Sequence, residues 1–352
     1  MLLTFLTWGT KLTDGNVSTK GGFLVSTIKD VARLAGVGVG TVSRVINKSG
    51  PVDPGTAEKV WTAVHSLRYV PNGNARSLVT RKSYLLGVIL PDLTNPFFPT
   101  VVRSIETFAA QQGYLVIVVE TDWNLAKEQM AVYKLREQAV DGLILISSVN
   151  AEEIIQANAM GALPFIVADR GLSSQTATQI TVDHYAGAIE AVNHLVQRGH
   201  RDIGFIAGRD SDSAKQRQRG YQDVMEALGQ PVHIWEGPEG YTFNAGYEGM
   251  RTLAGKVSAV FAANDLSALG ALKYLQERGV RVPEDVAIVG FDDILPSVLV
   301  HPRLTTVHQP VDVLGQESAR HLIAAIEASQ NGVVLAPSLS ILTPRLVVRE
   351  ST

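Results

Sequence analysis

The feature that most constrains the fold is a series of short apolar runs that alternate with amphipathic stretches, beginning at residue 84. Short strand-like runs alternating with helical patterns are typical of parallel sheets covered by helices on both faces. The alternation occurs in two sets, which predicts two doubly wound α/β lobes. The first set is LLGVIL, 96–112, YLVIVVE, 124–139, GLILIS, 151–160 and PFIVA, and the second is 185–198, IGFIAG, 214–228, HIW, 242–254, AVFAA, 266–278 and AIVGF.

The last part of the chain indicates further crossings between the lobes. After Gly290, the segment LTTVHQP returns toward the first lobe, and a helix at 311–328 and the final strands complete the body. We therefore expect one lobe at about 84–183 and 311–335, and the other at about 184–310 and 336–352.

Charge divides the chain near residue 83. Residues 26–83 hold nine Lys and Arg against three Asp and Glu, a net charge of +6. Residues 84–352 hold 20 basic and 30 acidic residues, a net charge of −10. A basic segment joined to an acidic body is typical of a polyanion-binding head, although a solvated basic face has the same composition.

The basic head has the signals of three short helices. Thr27-Ile28-Lys29-Asp30 has the form of a capping box, which predicts a helix from Ile28 to Ala35. Gly36-Val37-Gly38 interrupts it before a second helix at 41–47, and Asp53-Pro54 announces a third that Pro71 stops. Two tightly joined helices followed by a third predict a helix-turn-helix domain at 26–71.

In a helix-turn-helix, the exposed N-terminal residues of the second helix meet base edges in the major groove of DNA. Arg44 is the expected base reader, because a guanidinium can bond the O6 and N7 of guanine together. Thr41 and Ser43 are expected to hold phosphates. The complete set of candidate DNA-binding residues is Thr27, Val39, Gly40, Thr41, Ser43, Arg44, Asn47, Asn72, Arg76 and Leu78.

Composition and motifs disfavour several other classes. The chain has no cysteine, which excludes disulfides, thiolate catalysis and cysteine-bound zinc. It also lacks the HExxH, GxSxG and P-loop motifs, and adjacent strand residues such as Asp292 and Asp293 point to opposite faces. We therefore expect no catalysis, metal or cofactor. The absence of a signal-peptide pattern or a long apolar run favours a cytoplasmic location over a secreted or membrane-bound one.

Polar and aromatic residues follow the strands of the body. Ligands of doubly wound sheets bind outside the carboxyl ends of the strands, which here places them between the lobes. Arg217, Asn264 and Asp292 can donate to and accept from several hydroxyls, while Phe97, Phe98 and Tyr241 supply flat apolar faces. This combination suits a sugar or polyol. Asp183 and Asp265 are expected only to cap helices, and His184, His194 and His200 to be surface or core residues.

The strings STIKDVARLAGVGVGTVSRVIN and AVHSLRYVPNGNARSLVTRKSYLLGVILPDLTNPFF resemble the LacI/GalR family of bacterial repressors, and the resemblance extends over residues 26–352. It implies a small all-α head on a two-lobed body like the periplasmic binding proteins. Arg217, Asn264 and Asp292 match ligand-binding positions of the family. Five further residues match positions that line the cleft in some members: Phe97, Phe98, Asp169, Tyr241 and Gln309.

The resemblance also assigns the segment at 72–83. In the family, such a segment becomes a hinge helix on operator DNA, and Leu78 matches the leucine that opens a central base step. The positions that select the operator are Val39 and Gly40 here; we expect Val39 to touch a thymine methyl and Gly40 to read nothing. Relatives begin just before the STIKDVA-like string, so residues 1–25 are expected to be an extension arising from an upstream start.

The resemblance therefore predicts a homodimeric repressor that binds a near-palindromic double-stranded operator. A small effector between the lobes, most simply a sugar, would control the affinity for DNA. Control of the same regulator by a purine co-repressor or by a partner protein stays open. A sugar-binding transport protein is the alternative from another class, but it would need a signal peptide and would have no use for a basic helical head.

Overall fold

The computed structural model describes residues 26–47, 49–70, 82–148, 151–158, 163–171, 176–238 and 240–352. They fall into two compact units, one within residues 1–76 and the other within 77–352. The expectations for residues 1–25 and for Asn72, Arg76 and Leu78 lie outside the described residues.

The head consists of the three predicted helices, although the second begins at Val39 rather than at Thr41. Asp30 accepts hydrogen bonds from the backbone N–H (3.0 Å) and the hydroxyl (2.7 Å) of Thr27 at the start of the first helix. Gly36 ends that helix in the left-handed conformation, at φ 65°, which glycine adopts without steric cost. Asp53 caps the third helix by accepting the N–H of Thr56 at 3.0 Å. The helices are α1 (Ile28–Ala35), α2 (Val39–Asn47) and α3 (Pro54–Ser66).

The three helices of the head share one small core. Val31 of α1, Val42 of α2 and Val60 of α3 are completely buried, and Val45 and Val64 complete the contact. Burying a valine side chain contributes about 1.5–3 kcal/mol, so these residues hold the angle between α1 and α2. The core thereby fixes which face of α2 stays exposed.

The first lobe of the body is a six-stranded parallel sheet in the order β11-β5-β4-β3-β1-β2. Every residue of β3 is buried, as expected for a central parallel strand covered on both faces. The strands are β1 (Leu85–Leu90), β2 (Leu115–Glu120), β3 (Gly142–Ile146), β4 (Phe165–Ala168), β5 (Thr178–Val182) and β11 (Leu339–Leu342). The helices of this lobe are α4 (Phe97–Gln111), α5 (Leu125–Glu137), α6 (Ala151–Asn158) and α12 (Val311–Gln330).

The second lobe repeats the arrangement in the order β12-β10-β9-β8-β6-β7, with only β12 antiparallel to its neighbour β10. Its strands are β6 (Ile203–Ile206), β7 (His233–Trp235), β8 (Ala259–Ala262), β9 (Ala287–Asp292), β10 (Thr305–His308) and β12 (Arg345–Val347). Its helices are α7 (His184–Gln197), α8 (Asp212–Ala227), α9 (Phe243–Leu253), α10 (Asp265–Glu277) and α11 (Pro296–Leu299). The two parallel sheets and the helical head confirm the predicted fold class.

Two details of the lobes differ from the sequence prediction. Strand β11 pairs in parallel with β5, so residues 339–342 belong to the first lobe; placing all of 336–352 in the second lobe was wrong. Strand β5 itself was missed, because buried Gln179 and Thr181 break its apolar run. The chain therefore crosses between the sheets three times: after β5, after β10 and after β11.

Within the described ranges, no helix has both the length and the apolar character required to span a membrane.

Candidate functional site

The exposed side of α2 carries most of the predicted DNA-binding residues. Val42 and Val45 face the core, and Val39, Gly40, Arg44 and Asn47 are exposed on the other side. Thr41 and Ser43 are half-buried beside them, and the Asn47 amide donates a hydrogen bond to the Ser43 hydroxyl at 3.2 Å. Thr27 is exposed at the start of α1, where its hydroxyl is engaged by Asp30.

The exposed side chains of α2 are short at the start of the helix and include a long cationic one near its end. Val39 is 42% exposed, and Gly40 adds no side chain. Nothing lies within 4 Å of the position where a Gly40 Cβ would be. The backbone can therefore approach a flat surface closely here, while Arg44, one turn later, reaches further. This shape suits insertion of the helix into a groove.

The predicted effector residues of the body come together between the lobes. Seven of the eight line one small cavity, and Gln309 joins them through its bond to Asp292. Asp169 directly follows β4, and Asp292 is the last residue of β9. Their φ values of 56° and 119° are unusual for residues other than glycine. Such left-handed strand ends cluster at functional sites, where they aim side chains that a regular strand would not.

Arg217 lies at the centre of the cleft and is 3% exposed. Its Nη1 donates to the carbonyl of Ala263 at 2.5 Å, and its Nη2 donates to Nδ1 of His184 at 3.2 Å. The guanidinium carbon lies 3.8 Å from the centroid of the Phe291 ring. Its Nε has no hydrogen-bond partner among the described residues. The protein therefore fixes the orientation of Arg217 through Nη1 and Nη2, and the buried Nε–H has no acceptor among the described residues.

His184 connects Arg217 to the other lobe. It is completely buried, and its Nε2 lies 3.2 Å from Oδ1 of Asp169, at the end of β4. Burial, and then the neighbouring Arg217 charge, lower the pKa of His184, which keeps the ring neutral. A neutral ring that accepts at Nδ1 carries its proton on Nε2 and directs it toward Asp169. Its predicted place in the core is correct, but sequence reasoning missed its contact with two site residues.

Asp292 is held by neutral and cationic neighbours. The Gln309 amide donates to its Oδ1 at 2.6 Å, and Nη1 of Arg217 lies 3.8 Å from the same oxygen. Burial raises the pKa of Asp292 well above its usual range. The next residue, Asp293, faces away from the cleft and pairs with Arg349 at 2.5 Å. The two aspartates therefore do not share a site, as the strand geometry predicted.

The cap of α10 is Asn264 and not the neighbouring Asp265. Asn264 caps α10, accepting the N–H of Ser267 at 3.0 Å, and its amide donates to the Tyr241 carbonyl at 3.0 Å. The expectation that Asp265 caps this helix was wrong, because its side chain instead accepts hydrogen bonds from Ile294, Ser297 and Thr306. Asp183 does cap its helix, accepting the N–H of Ala186 at 2.9 Å.

Aromatic rings form one side of the cleft. Phe97 and Phe98 meet edge to face, with ring centroids 5.2 Å apart, and Phe98 lies 6.3 Å from Trp123. Trp123 stacks on Tyr241 at 6.1 Å. Sequence reasoning missed Trp123, which lies in the turn after β2, and Ser147, which directly follows β3, because neither belongs to a motif. Ser147 donates to Oδ2 of Asp169 at 2.6 Å, and its position directly after GLILI was the signal that could have found it.

Comparison with known proteins gives two family matches. Residues 27–72 match the family described as bacterial regulatory proteins, lacI family, and residues 192–352 match a periplasmic binding protein-like domain. The HTH-type transcriptional repressor PurR of Aliivibrio salmonicida is 35% identical over 309 residues, covering 86% of this chain and 93% of the relative. The HTH-type transcriptional regulator CelR of Thermobifida fusca is 35% identical over 337 residues, covering 92% of this chain and 98% of the relative.

This chain belongs to the LacI family. Among solved structures, the lac repressor dimer bound to operator and the anti-inducer ONPF is 31% identical, with a TM-score of 0.80 over 93% of this chain and 99% of the other. A transcriptional regulator CelR-cellobiose complex is 32% identical, with a TM-score of 0.69 over 93% and 100% of the two chains. The LacI-family chain described here is a DNA-binding transcriptional regulator of the effector-controlled kind, as its sequence predicted.

Proposed function

We propose that this LacI-family regulator is a repressor that binds a near-palindromic operator as a homodimer and responds to a sugar or polyol bound between its lobes. The observation that carries the ligand proposal is the set of buried polar atoms in the cleft. Nε of Arg217 and Oε1 of Gln309 have no hydrogen-bond partner among the described residues. Buried polar groups are normally paired, so a bound ligand would supply what they lack.

The chemistry of these atoms favours a neutral polyhydroxyl ligand. The first is a donor and the second an acceptor, and a hydroxyl group can serve either kind. The aromatic rings of Phe97, Phe98 and Tyr241 offer apolar faces to the C–H side of a sugar ring. The related CelR has been solved as a complex with cellobiose, which agrees with a sugar ligand. A partner protein that binds outside the cleft would instead leave these polar atoms unpaired.

In the head, the proposed reader is α2. Arg44 would contact a guanine in the major groove, Thr41 and Ser43 would hold phosphates, and Val39 would contact a thymine methyl group. Thr27 and Asn47 would contribute further contacts from the ends of α1 and α2. Asn72, Arg76 and Leu78 lie outside the described residues, and the proposal that they form a hinge in the minor groove rests on the sequence resemblance alone.

The two sites would be coupled through the angle between the lobes. A ligand that binds one angle more tightly than another shifts the protein toward it and changes the spacing of the two hinge segments in the dimer. The proposal includes no catalytic step and no metal or cofactor, and it places the protein in the cytoplasm with its DNA.

The test is operator binding by fluorescence anisotropy, using DNA from upstream of the protein's own gene, with and without a panel of sugars and purines. Tight, salt-sensitive binding that a sugar changes supports the proposal. If only a purine changes operator binding, the effector is a purine and the proposal of a sugar is wrong. Binding that no compound changes would favour control by a partner protein.

A further inference from the structure

Trp123 of the first lobe is in contact with two side chains of the second. It lies in the turn after β2, and its ring stacks on that of Tyr241 with centroids 6.1 Å apart and planes inclined at 28°. The guanidinium carbon of Arg209 lies 5.7 Å from the centroid of the Trp123 ring, within the range of a cation–π contact. Arg209 precedes α8 and Tyr241 precedes α9, so both belong to the second lobe. We call Trp123, Arg209 and Tyr241 the clasp.

The second lobe builds its half of the clasp on two glycines. A Cβ at Gly208 would overlap the ring of Tyr241, and a Cβ at Gly240 would lie 2.8 Å from the backbone nitrogen of Arg209. Gly240 also has a φ of 58°, in the left-handed region that favours glycine. The two segments can lie side by side because neither glycine has a side chain. This packing brings the side chains of Arg209 and Tyr241 to the same ring.

The first lobe presents Trp123 from a turn that is fastened at its base. The Asp122 N–H donates to the Pro91 carbonyl at 2.8 Å, and the Thr121 hydroxyl donates to the Leu90 carbonyl at 3.1 Å. These bonds fix the backbone of the turn to the end of β1. The turn therefore moves with the first lobe, and separation of the lobes breaks the clasp.

The clasp leaves almost no room in the cleft. The cavity that Trp123 and Tyr241 line together with Arg217 has a volume of about 20 Å³, which is room for about one water molecule. Tyr241 is one of the rings proposed to stack on the ligand, and Trp123 covers a face of this ring. The clasp must therefore open before a ligand larger than water can enter.

Polar contacts between the lobes are less able to keep them together. The Gly171 N–H donates to Oδ2 of Asp212 at 3.3 Å, and both residues are half-buried. Water replaces such a bond at little net cost when the lobes separate, whereas it does not replace the contact between two aromatic rings. The contact of His184 with Asp169 lies next to the chain crossing after β5, where separation of the lobes moves the atoms least.

We infer that the clasp is an autoinhibitory contact: Trp123 occupies the face of Tyr241 that the effector needs, and the effector binds only after the clasp has opened. The inference rests on the proposed function for its effect on a ligand, whereas the opening is tested without one. Because only the open fraction of the protein binds, removal of Trp123 should strengthen effector binding. Removal of a residue that merely contacts the effector would weaken it, so the two roles predict opposite signs.

The first experiment uses the absence of cysteine from the chain. Ser147→Cys places one thiol at a buried position in the cleft, on the first lobe, and its rate of reaction with DTNB measures how often the cleft opens. In this background Arg209→Ala, which leaves both rings in place, should raise the rate about threefold, and Trp123→Ala about tenfold. Arg219→Ala is the matched control, because it removes a guanidinium 5.6 Å from the Tyr185 ring, elsewhere in the second lobe, and should leave the rate unchanged.

The second experiment is calorimetric titration of the full-length protein with glucose, galactose, ribose, xylose, cellobiose, maltose and lactose. The sugar that changes operator binding by wild type should bind Trp123→Ala about tenfold more tightly and Arg209→Ala about threefold more tightly. Arg219→Ala should bind it as wild type does.

The outcomes separate this inference from the proposed function. If Arg209→Ala and Trp123→Ala, both folded by circular dichroism, leave the thiol reaction at the parent rate, the clasp does not keep the cleft closed and the inference is wrong. If Trp123→Ala binds the sugar more weakly than wild type, Trp123 is a ligand contact and not a competitor, and the inference is again wrong. If the thiol rates rise but no sugar changes operator binding, the sugar effector is wrong and the closure of the cleft by the clasp is supported.

Discussion

The buried carboxyl group of Asp265 should make the stability of the body depend on pH. It is completely buried at the start of α10 and accepts hydrogen bonds from the Thr306 hydroxyl (2.5 Å), the Ser297 hydroxyl (2.6 Å) and the Ile294 N–H (2.9 Å). These bonds tie α10 to β10 and to the segment that follows β9. Burial raises the pKa of this carboxyl from 3.8 to about 6.

The sign of the effect follows from which state holds the proton. Between about pH 4 and pH 6 the folded protein keeps the proton on Asp265, whereas the unfolded chain has lost it. The contribution of Asp265 to the free energy of unfolding is therefore fully present below about pH 4 and is lost as the pH rises through 6. The shift corresponds to about 3 kcal/mol in the free energy of unfolding.

Asp265→Asn should remove this dependence and keep the packing. An amide nitrogen in the place of Oδ1 can donate to the Thr306 hydroxyl, and the remaining oxygen can still accept from Ser297 and Ile294. Relative to wild type, the variant should be equally stable near pH 4 and more stable by up to about 3 kcal/mol near pH 8. Asp265→Ala, in contrast, leaves three buried polar groups without an acceptor and should be destabilised at every pH.

The measurement is urea unfolding of wild type and Asp265→Asn across this pH range, with the difference in the free energy of unfolding plotted against pH. Groups that titrate alike in both proteins cancel in the difference. A difference that does not change with pH would refute the argument that burial keeps the Asp265 proton in the folded state.

Three further predictions concern the two sites. Arg44→Ala should weaken binding to the operator by about 1–3 kcal/mol without affecting ligand binding, and an equal loss on unrelated DNA in anisotropy titrations would show that Arg44 only holds phosphate. Leu78→Ala should reduce operator bending, and unchanged mobility in a gel phasing assay would rule out its role as a wedge. His184→Phe should weaken ligand binding roughly tenfold because Arg217 and Asp169 lose their connection, whereas His184→Gln, which can still accept and donate, should retain most of it in calorimetry; equal losses would contradict this role.

Much of the fold was predictable because hydrophobic periodicity and capping signals are local. The buried run of β3 and the caps at Asp30 and Asp53 could be read directly from the sequence. Strand β5 could not, since Gln179 and Thr181 are buried in it by contacts with distant elements. The pairing of β11 was also missed, because two short terminal strands carry no signal that tells which sheet they join.

The site was predictable to a similar extent. Polar residues after strands pointed to the cleft, and the resemblance selected Arg217, Asn264 and Asp292 among them. Trp123 and His184 escaped because their roles arise from contacts across the lobes, which no local pattern records. The roles of Asn264 and Asp265 were confused for a related reason: adjacent residues at a helix start can both cap it, and only tertiary packing decides which one does.

The most direct test of the account is operator binding by Arg217→Ala, measured by anisotropy with and without the sugar that acts on wild type. Arg217 belongs to the body, and the head that binds DNA is a separate compact unit. The account predicts operator affinity close to that of wild type and no response to the sugar. An unchanged dose response would contradict the account, because the cleft around Arg217 would then not be the place where the effector binds.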